Sequence, residues 1–181
     1  MAVYGFIGAD HRVEPDYCDL DMLSYRNKHQ NYIPVTENTN DHTIEIRTGG
    51  TQVYLRGSET QIGKKRSVAQ TPNQLQLNVM KKLVDYLETG DTMMFRMVQD
   101  LSHDKDYAAV IYKAFIQKDI QVEFLYDPSC DFSIYRKAYL DNPTVIDDII
   151  SKALSAALTI PESRKVLSVP GSQNKRQKSS R

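Results

Sequence analysis

The chain has no tryptophan, only two cysteines, and no apolar run approaching the roughly 20 residues needed to cross a bilayer. It also lacks an excess of either charge, with Lys+Arg and Asp+Glu both at 23. Each absence excludes something. Cys18 and Cys130 are too few and too far apart for a disulfide framework or a zinc site, and they read as two reduced thiols. The first residues, MAVYGFIGADHR, lack the apolar core of a signal peptide. These features predict a soluble, cytoplasmic protein. A balanced charge is not the profile of a dedicated duplex-DNA binder, which carries a basic face.

The balance conceals a split. From Arg164 onward the chain carries six basic residues and no acid, which leaves 17 basic against 23 acidic residues in the first 163. The expected organisation is one acidic domain over residues 1–162, followed by a basic, disordered tail over 163–181. A length of 181 residues allows a proper core, and 40% hydrophobic content is ordinary for one.

Residues 3–7, VYGFI, form a short apolar run that reads as a buried strand. It is followed by an acid-rich stretch, ADHRVEPDYCDLD, expected as a loop with at most a helical turn. NYIPV at 31–35 reads as a second strand, pushed toward a sheet edge by Pro34. TIEIRTGGTQVYLRG at 43–57 alternates apolar and polar residues on both sides of Gly49-Gly50. Ile44 and Ile46 share one face of their run, as do Val53 and Leu55 of theirs, so this is a β-hairpin whose turn needs positive φ.

TPNQLQLNVMKKLVDYLETG at 71–90 carries the clearest helix signal. Thr71 can cap it, Pro72 suits its first position, and Gln74 sits where a capping-box partner belongs. Leu77, Met80, Leu83, Val84 and Leu87 form its apolar stripe, and Gly90 stops it. TMMFRMV then reads as a strand. DKDYAAVIYKAFIQKD reads as a helix with Tyr107, Val110, Ile111, Ala114 and Phe115 inward, and IQVEFLY as a further strand. DPSCDFSIYRKAYLDN is expected to be irregular. A last helix begins at Pro143, its apolar face including Val145, Ile146, Ile149, Ile150 and Leu154, and Pro161 ends it. Alternation of helix and strand with short connections predicts an α/β domain with a mostly parallel sheet flanked by helices.

With these pieces in order, the chain resembles the catalytic domain of the serine recombinases, the resolvase and invertase family. VYGFIGADHR stands where the family's first strand and nucleophile belong. LETGDTMMFRMVQDLSHDKDYAAVIYKAFIQKDIQVEFLYDPSCDFS follows its later Gly-Asp, strand, motif and helix, with Gly90, Asp91 and Leu101 agreeing. The resemblance covers residues 1–12 and roughly 72–160, and it makes residues 43–66, with the hairpin, an insertion. It implies a resolvase-like α/β fold and a homodimer through residues 143–160, although the same helix can instead close the monomer core.

The resemblance stops at the chemistry. The family's nucleophilic Ser falls on Asp10 and its first Arg on Gly8. Its later Asp-Arg pair falls on Gln99 and Asp100, and its second Arg on His103. Without a nucleophile or guanidinium groups to clamp a phosphate, serine recombination is not expected. Carboxylates and an imidazole in place of arginines would instead suit a cation. Asp10, Asp100 and His103, with His11 or Asp16 nearby, are the candidate ligands for Mg²⁺ or Mn²⁺ in a metal-dependent nuclease acting on RNA or DNA.

The alternative is that these positions are solvated polar residues, with Ser102-His103-Asp104 serving only as a helix cap. Two basic clusters, Lys64, Lys65 and Arg66 after the hairpin and Lys175, Arg176 and Lys178 in the tail, are candidate phosphate contacts or solvated surface. The leading expectation is a non-recombinase, resolvase-like binding protein of a phage or mobile element. It would modulate nucleic acid, a nucleic-acid-handling protein or a nucleoprotein complex, including a host nuclease defence such as a CRISPR effector, with the metal-dependent nuclease as the alternative.

Overall fold

A computed structural model describes residues 1–8, 15–38, 42–58, 70–127, 130, 132–161 and 164–165, and the side chains of all of these except 15–21 and 145–146. Its centre is a six-stranded mixed sheet in the order β4-β3-β2-β1-β5-β6. The strands are β1 (Val3–Ile7), β2 (Ile33–Asn38), β3 (Thr43–Thr48), β4 (Thr51–Arg56), β5 (Thr92–Phe95) and β6 (Gln121–Phe124). β2, β1, β5 and β6 run parallel, and β3 and β4 are antiparallel additions at one side. Five helices flank the sheet: α1 (Pro15–Lys28), α2 (Pro72–Tyr86), α3 (Lys105–Gln117), α4 (Phe132–Asp141) and α5 (Pro143–Leu158). The expected α/β class with a mostly parallel sheet is what forms.

Period-2 alternation sorts the sheet's residues onto two faces. Tyr4, Phe6, Val35, Ile44, Ile46, Met93, Phe95, Val122 and Phe124 belong to the main core. On that side Tyr4 meets Tyr86 of α2 edge to face, and Phe95 sits among Phe6, Phe115 of α3 and Phe124. The opposite face is covered by α1. Fully buried Tyr25 donates its hydroxyl hydrogen bond to the Phe6 carbonyl at 2.8 Å. A Cβ on Gly5 would stand 2.8 Å from the Tyr32 ring and 3.1 Å from Tyr25, so this strand position requires glycine for the aromatic pair to approach.

The hairpin forms with the expected turn. Thr48 pairs with Thr51, and Gly49 and Gly50 have φ of +49° and +94°, which only glycine adopts without strain. Ile44 pairs with Leu55 and Ile46 with Val53, so both apolar rows share one face and join the core. The hairpin therefore extends the main sheet through the β2–β3 ladder. β2 corrects the expectation from Pro34, because it lies inside the sheet between β1 and β3. The ladder to β3 begins only at Val35 opposite Ile46, so the missing Pro34 N–H falls just beyond it and breaks no bond there.

Thr71 and Gln74 make the full capping box at the start of α2, at 3.3 and 3.0 Å. Val79, Met80, Leu83 and Val84 bury its inner face. In α3 the inward stripe is Ala108, Ile111, Tyr112, Phe115 and Ile116, while Val110 is exposed. Val110 sits between the i, i+3 and i+4 positions of that stripe, so its apolar character misled the expectation. α1 and α4 form where a loop with a helical turn and an irregular segment were expected. Phe132, Tyr135, Ala138 and Tyr139 give α4 its inward side at helical spacing, a signal diluted by exposed Ile134 and Leu140. α5 packs on α3 and α4 through Ile150, Leu154 and Ala157, which closes the chain's own core and leaves Ile149 exposed.

Burial pushes the Tyr4 phenol up to about 12, with the neighbouring Asp91 carboxylate as the second cause. The native state therefore keeps this proton where the unfolded chain, with its value of 10.0, releases it. The resulting stability is complete below pH 10 and is lost as pH rises toward 12. Urea midpoints measured across this window should fall more steeply for the wild type than for Tyr4→Phe, and parallel slopes would remove Tyr4 as the cause.

Candidate functional site

The parallel strands create one edge where chemistry is usually placed. β1 leads through α1 to β2 on one side, and β5 leads through α3 to β6 on the other. The carboxyl ends of β1 and β5 therefore flank the switch point of the sheet, the customary ligand crevice of open α/β folds. Gly8 lies just past β1, and the segment RMVQDLSHD lies just past β5.

That segment is built by an unmet backbone requirement. β5 ends at Phe95, and the N–H groups of Arg96, Met97 and Val98 then turn away from the ladder into the interior. Buried amides need acceptors. Asp100, at the end of a single 3-10 turn (Val98–Asp100), accepts from the Arg96 N–H at 2.9 Å and the Met97 N–H at 3.3 Å through one oxygen. Its other oxygen accepts from the Arg96 guanidinium at 3.2 Å, an i, i+4 ion pair with both side chains buried. Asp127, just past β6, accepts from the Val98 N–H at 2.9 Å. The neighbouring carbonyls are taken by the β6 side, with Leu125 N–H on Phe95 O and Tyr126 N–H on Arg96 O.

A second buried cation completes the cluster. Lys165 is 3% exposed, and its Nζ donates to Asp127 Oδ2 at 2.7 Å and Gln99 Oε1 at 2.6 Å. Gln99 donates its amide N–H to the Ile160 carbonyl at 3.1 Å. The short turn carrying Lys165, whose N–H bonds the Pro161 carbonyl, is thereby fastened across the ends of β5 and β6. This corrects the reading of Lys165 as part of a solvated tail. It is a core residue whose charge is matched by a buried carboxylate, the arrangement under which a buried ammonium is tolerated.

The expected site residues separate accordingly. Asp100 is buried and its carboxylate serves the backbone and Arg96, whereas His103 is exposed. Asp104 caps α3, accepting from the N–H groups of Asp106 and Tyr107 at 2.9 and 3.1 Å, and fully buried Ser102 accepts from the Asp104 N–H at 3.0 Å. The helix-cap reading of residues 102–104 is the one that forms for Ser102 and Asp104. Asp91 accepts from Ala2 N–H at 2.7 Å and Glu88 N–H at 2.9 Å, and it ties the residue before β1 to the α2–β5 turn.

Asp10, His11, Lys64, Lys65, Arg66, Lys175, Arg176 and Lys178 lie outside the described residues, as does the Asp16 side chain. Among the described residues, no group of three His, Cys, Asp or Glu side chains is placed to hold a metal ion.

Arg96, Asp127 and Lys165 were not legible as a site in the sequence. Arg96 breaks the apolar run TMMFRMV four residues before Asp100, which is a usable signal. Lys165 sits in a run that looks like tail, and nothing local marks it. No helix among the described residues is long and apolar enough to cross a membrane. No protein-family model matches the chain, and a search of curated proteins returns no relative.

Removing one partner of a buried pair leaves the other charge uncompensated, at a cost of about 3–5 kcal/mol. Asp100→Ala and Lys165→Met should each lower unfolding free energy by about that much in urea titrations, against about 0.5 kcal/mol or less for exposed Lys81→Met. Equal, small effects for all three would show that these pairs do not hold the edge together.

Proposed function

We propose that the chain is a binding protein and not a catalyst: a non-recombinase, resolvase-like protein of a phage or mobile element. It engages and modulates a nucleic-acid-handling protein or nucleoprotein complex, with inhibition of a host nuclease defence such as a CRISPR effector as the most specific form. One observation carries this reading. At the carboxyl edge, Asp100 and Asp127 are committed to three backbone N–H groups and two buried cations. A nuclease would need such carboxylates directed outward onto a metal and its water. Groups that hold the fold together cannot also be released to a cation without destabilising it.

Charge supports the class of partner. The first 163 residues carry a net charge of −6, so the domain complements a basic, nucleic-acid-binding channel. Such association is steered electrostatically and weakens with salt. Pairing of two copies through residues 143–160 is the accompanying assembly, in which exposed Ile149 would be covered.

The tagged full chain, passed over host extract, should retain an identifiable nucleic-acid-processing protein and lower that protein's activity once both are purified. Retention should fall as ionic strength rises. Recovery of free nucleic acid without protein would overturn this reading. So would Mn²⁺ binding heat accompanied by metal-dependent cleavage of labelled RNA or DNA that Asp100→Ala abolishes while remaining folded. Sedimentation giving only a 20.7 kDa species at micromolar concentration would remove the dimer.

A further inference from the structure

The sheet has a second working surface on the side away from the main core. Helix α1 covers that side over β1, but the β3–β4 hairpin projects beyond it. By strand alternation, Ile44, Ile46, Val53 and Leu55 turn to the core, so Glu45, Arg47, Gln52, Tyr54 and Arg56 turn outward together. Tyr54 is 55% exposed, an unusual amount for an aromatic on a sheet, and the Arg47 side chain is 70% exposed. Register places Tyr54 opposite Glu45 and diagonal to Arg47, with Arg56 two residues along the same strand.

At the inner border of this surface lies a cavity of about 490 Å³, with Arg26 from the last turn of α1, Gln30, Asn31, Tyr32 and Arg47 in its wall.

The electrostatics of this patch run against the rest of the domain. Glu45 is the single acid of β3 and β4, and it is held by the Arg47 Nε and the Gln52 amide. The Arg47 contact with Glu45 is made through Nε, and the Arg47 side chain stays largely exposed. Arg26 and Arg56 have no ion-pair partner among the described residues. Among the described residues of this surface, three guanidinium groups stand against one engaged carboxylate, a local excess of positive charge on an otherwise acidic body. Guanidinium forks match phosphate oxygens, and an exposed ring on a flat sheet offers a stacking platform to an unpaired base. Duplex bases are stacked inside the helix and cannot use such a platform.

We propose that the outer face of the β3–β4 hairpin, with the adjoining Arg26 cavity, binds single-stranded nucleic acid. Tyr54 stacks on a base, and Arg26, Arg47 and Arg56 contact phosphates. This surface is distinct from the carboxyl edge and does not rest on the protein-partner reading, so either can fail alone.

Fluorescence anisotropy of the full chain with labelled single-stranded RNA and DNA of about ten nucleotides tests it. Binding should be saturable, and an unlabelled duplex should compete poorly. Tyr54→Ala should weaken binding about ten-fold or more with the salt dependence unchanged, while Tyr54→Phe keeps the affinity. Arg26→Gln, Arg47→Gln and Arg56→Gln should each reduce the log–log salt slope by about 0.7. The proposal would be overturned by absence of binding at low salt, by competition from duplex equal to that from single strand, or by loss of binding on replacing Lys64, Lys65 and Arg66 but not on replacing Tyr54 and the three arginines. Competition by a mononucleotide as effective as by the oligomer would likewise overturn it, in favour of a small-ligand pocket around Arg26.

Discussion

Three successive backbone N–H groups, those of Arg96, Met97 and Val98, set the terms for the carboxyl edge of this protein. Where β5 stops they turn inward, and a buried amide without an acceptor costs a substantial fraction of a domain's whole stability. Asp100 and Asp127 supply the acceptors. Each carboxylate then needs a cation, because an isolated buried charge is more costly still. Arg96 comes from the same segment and Lys165 from far along the chain. The backbone requirement thus propagates outward until the segment after α5 is fastened across the ends of β5 and β6.

This sequence of dependencies accounts for the roles of Asp100 and Asp127 at an edge to which fold geometry points first. Polar residues clustered past a parallel strand are equally the signature of an active site and of a strand end being satisfied. What separates the two is where the lone pairs go. Here they go to the protein's own N–H groups and its own cations. The outer hairpin face has the opposite character. It lies at the end of the sheet, on strands held by the β3–β4 ladder, and Arg47, Tyr54 and Arg56 are exposed there.

The parts of the fold legible in the sequence were those governed by short-range rules. The Thr71–Gln74 capping box, the Gly49-Gly50 turn, the alternation of β3 and β4 and the stripe of α2 each need only a few neighbouring residues to specify them. Where expectation and structure differ, distant residues decided. Pro34 suggests an edge, yet it sits inside the sheet because the β3 ladder happens to start one residue later. The acid-rich segment before Met22 offers little amphipathic signal, and α1 is anchored in part by one buried residue, Tyr25, reaching the Phe6 carbonyl. Val110 looks like core and is not, because the sheet takes the neighbouring stripe.

By itself the sequence determined the α/β class, the hairpin and the caps, because propensity, periodicity and turn chemistry act locally and are written in adjacent residues. It also named Asp100 and His103 as positions of interest. Only the tertiary structure decided what Asp100 does and that Lys165 belongs to the core. Both outcomes depend on which charges meet in a low-dielectric interior, across 38 residues for Lys165 and Asp127. No local pattern encodes that meeting, since it exists only once β5, β6 and the segment beyond α5 have been brought to the same edge.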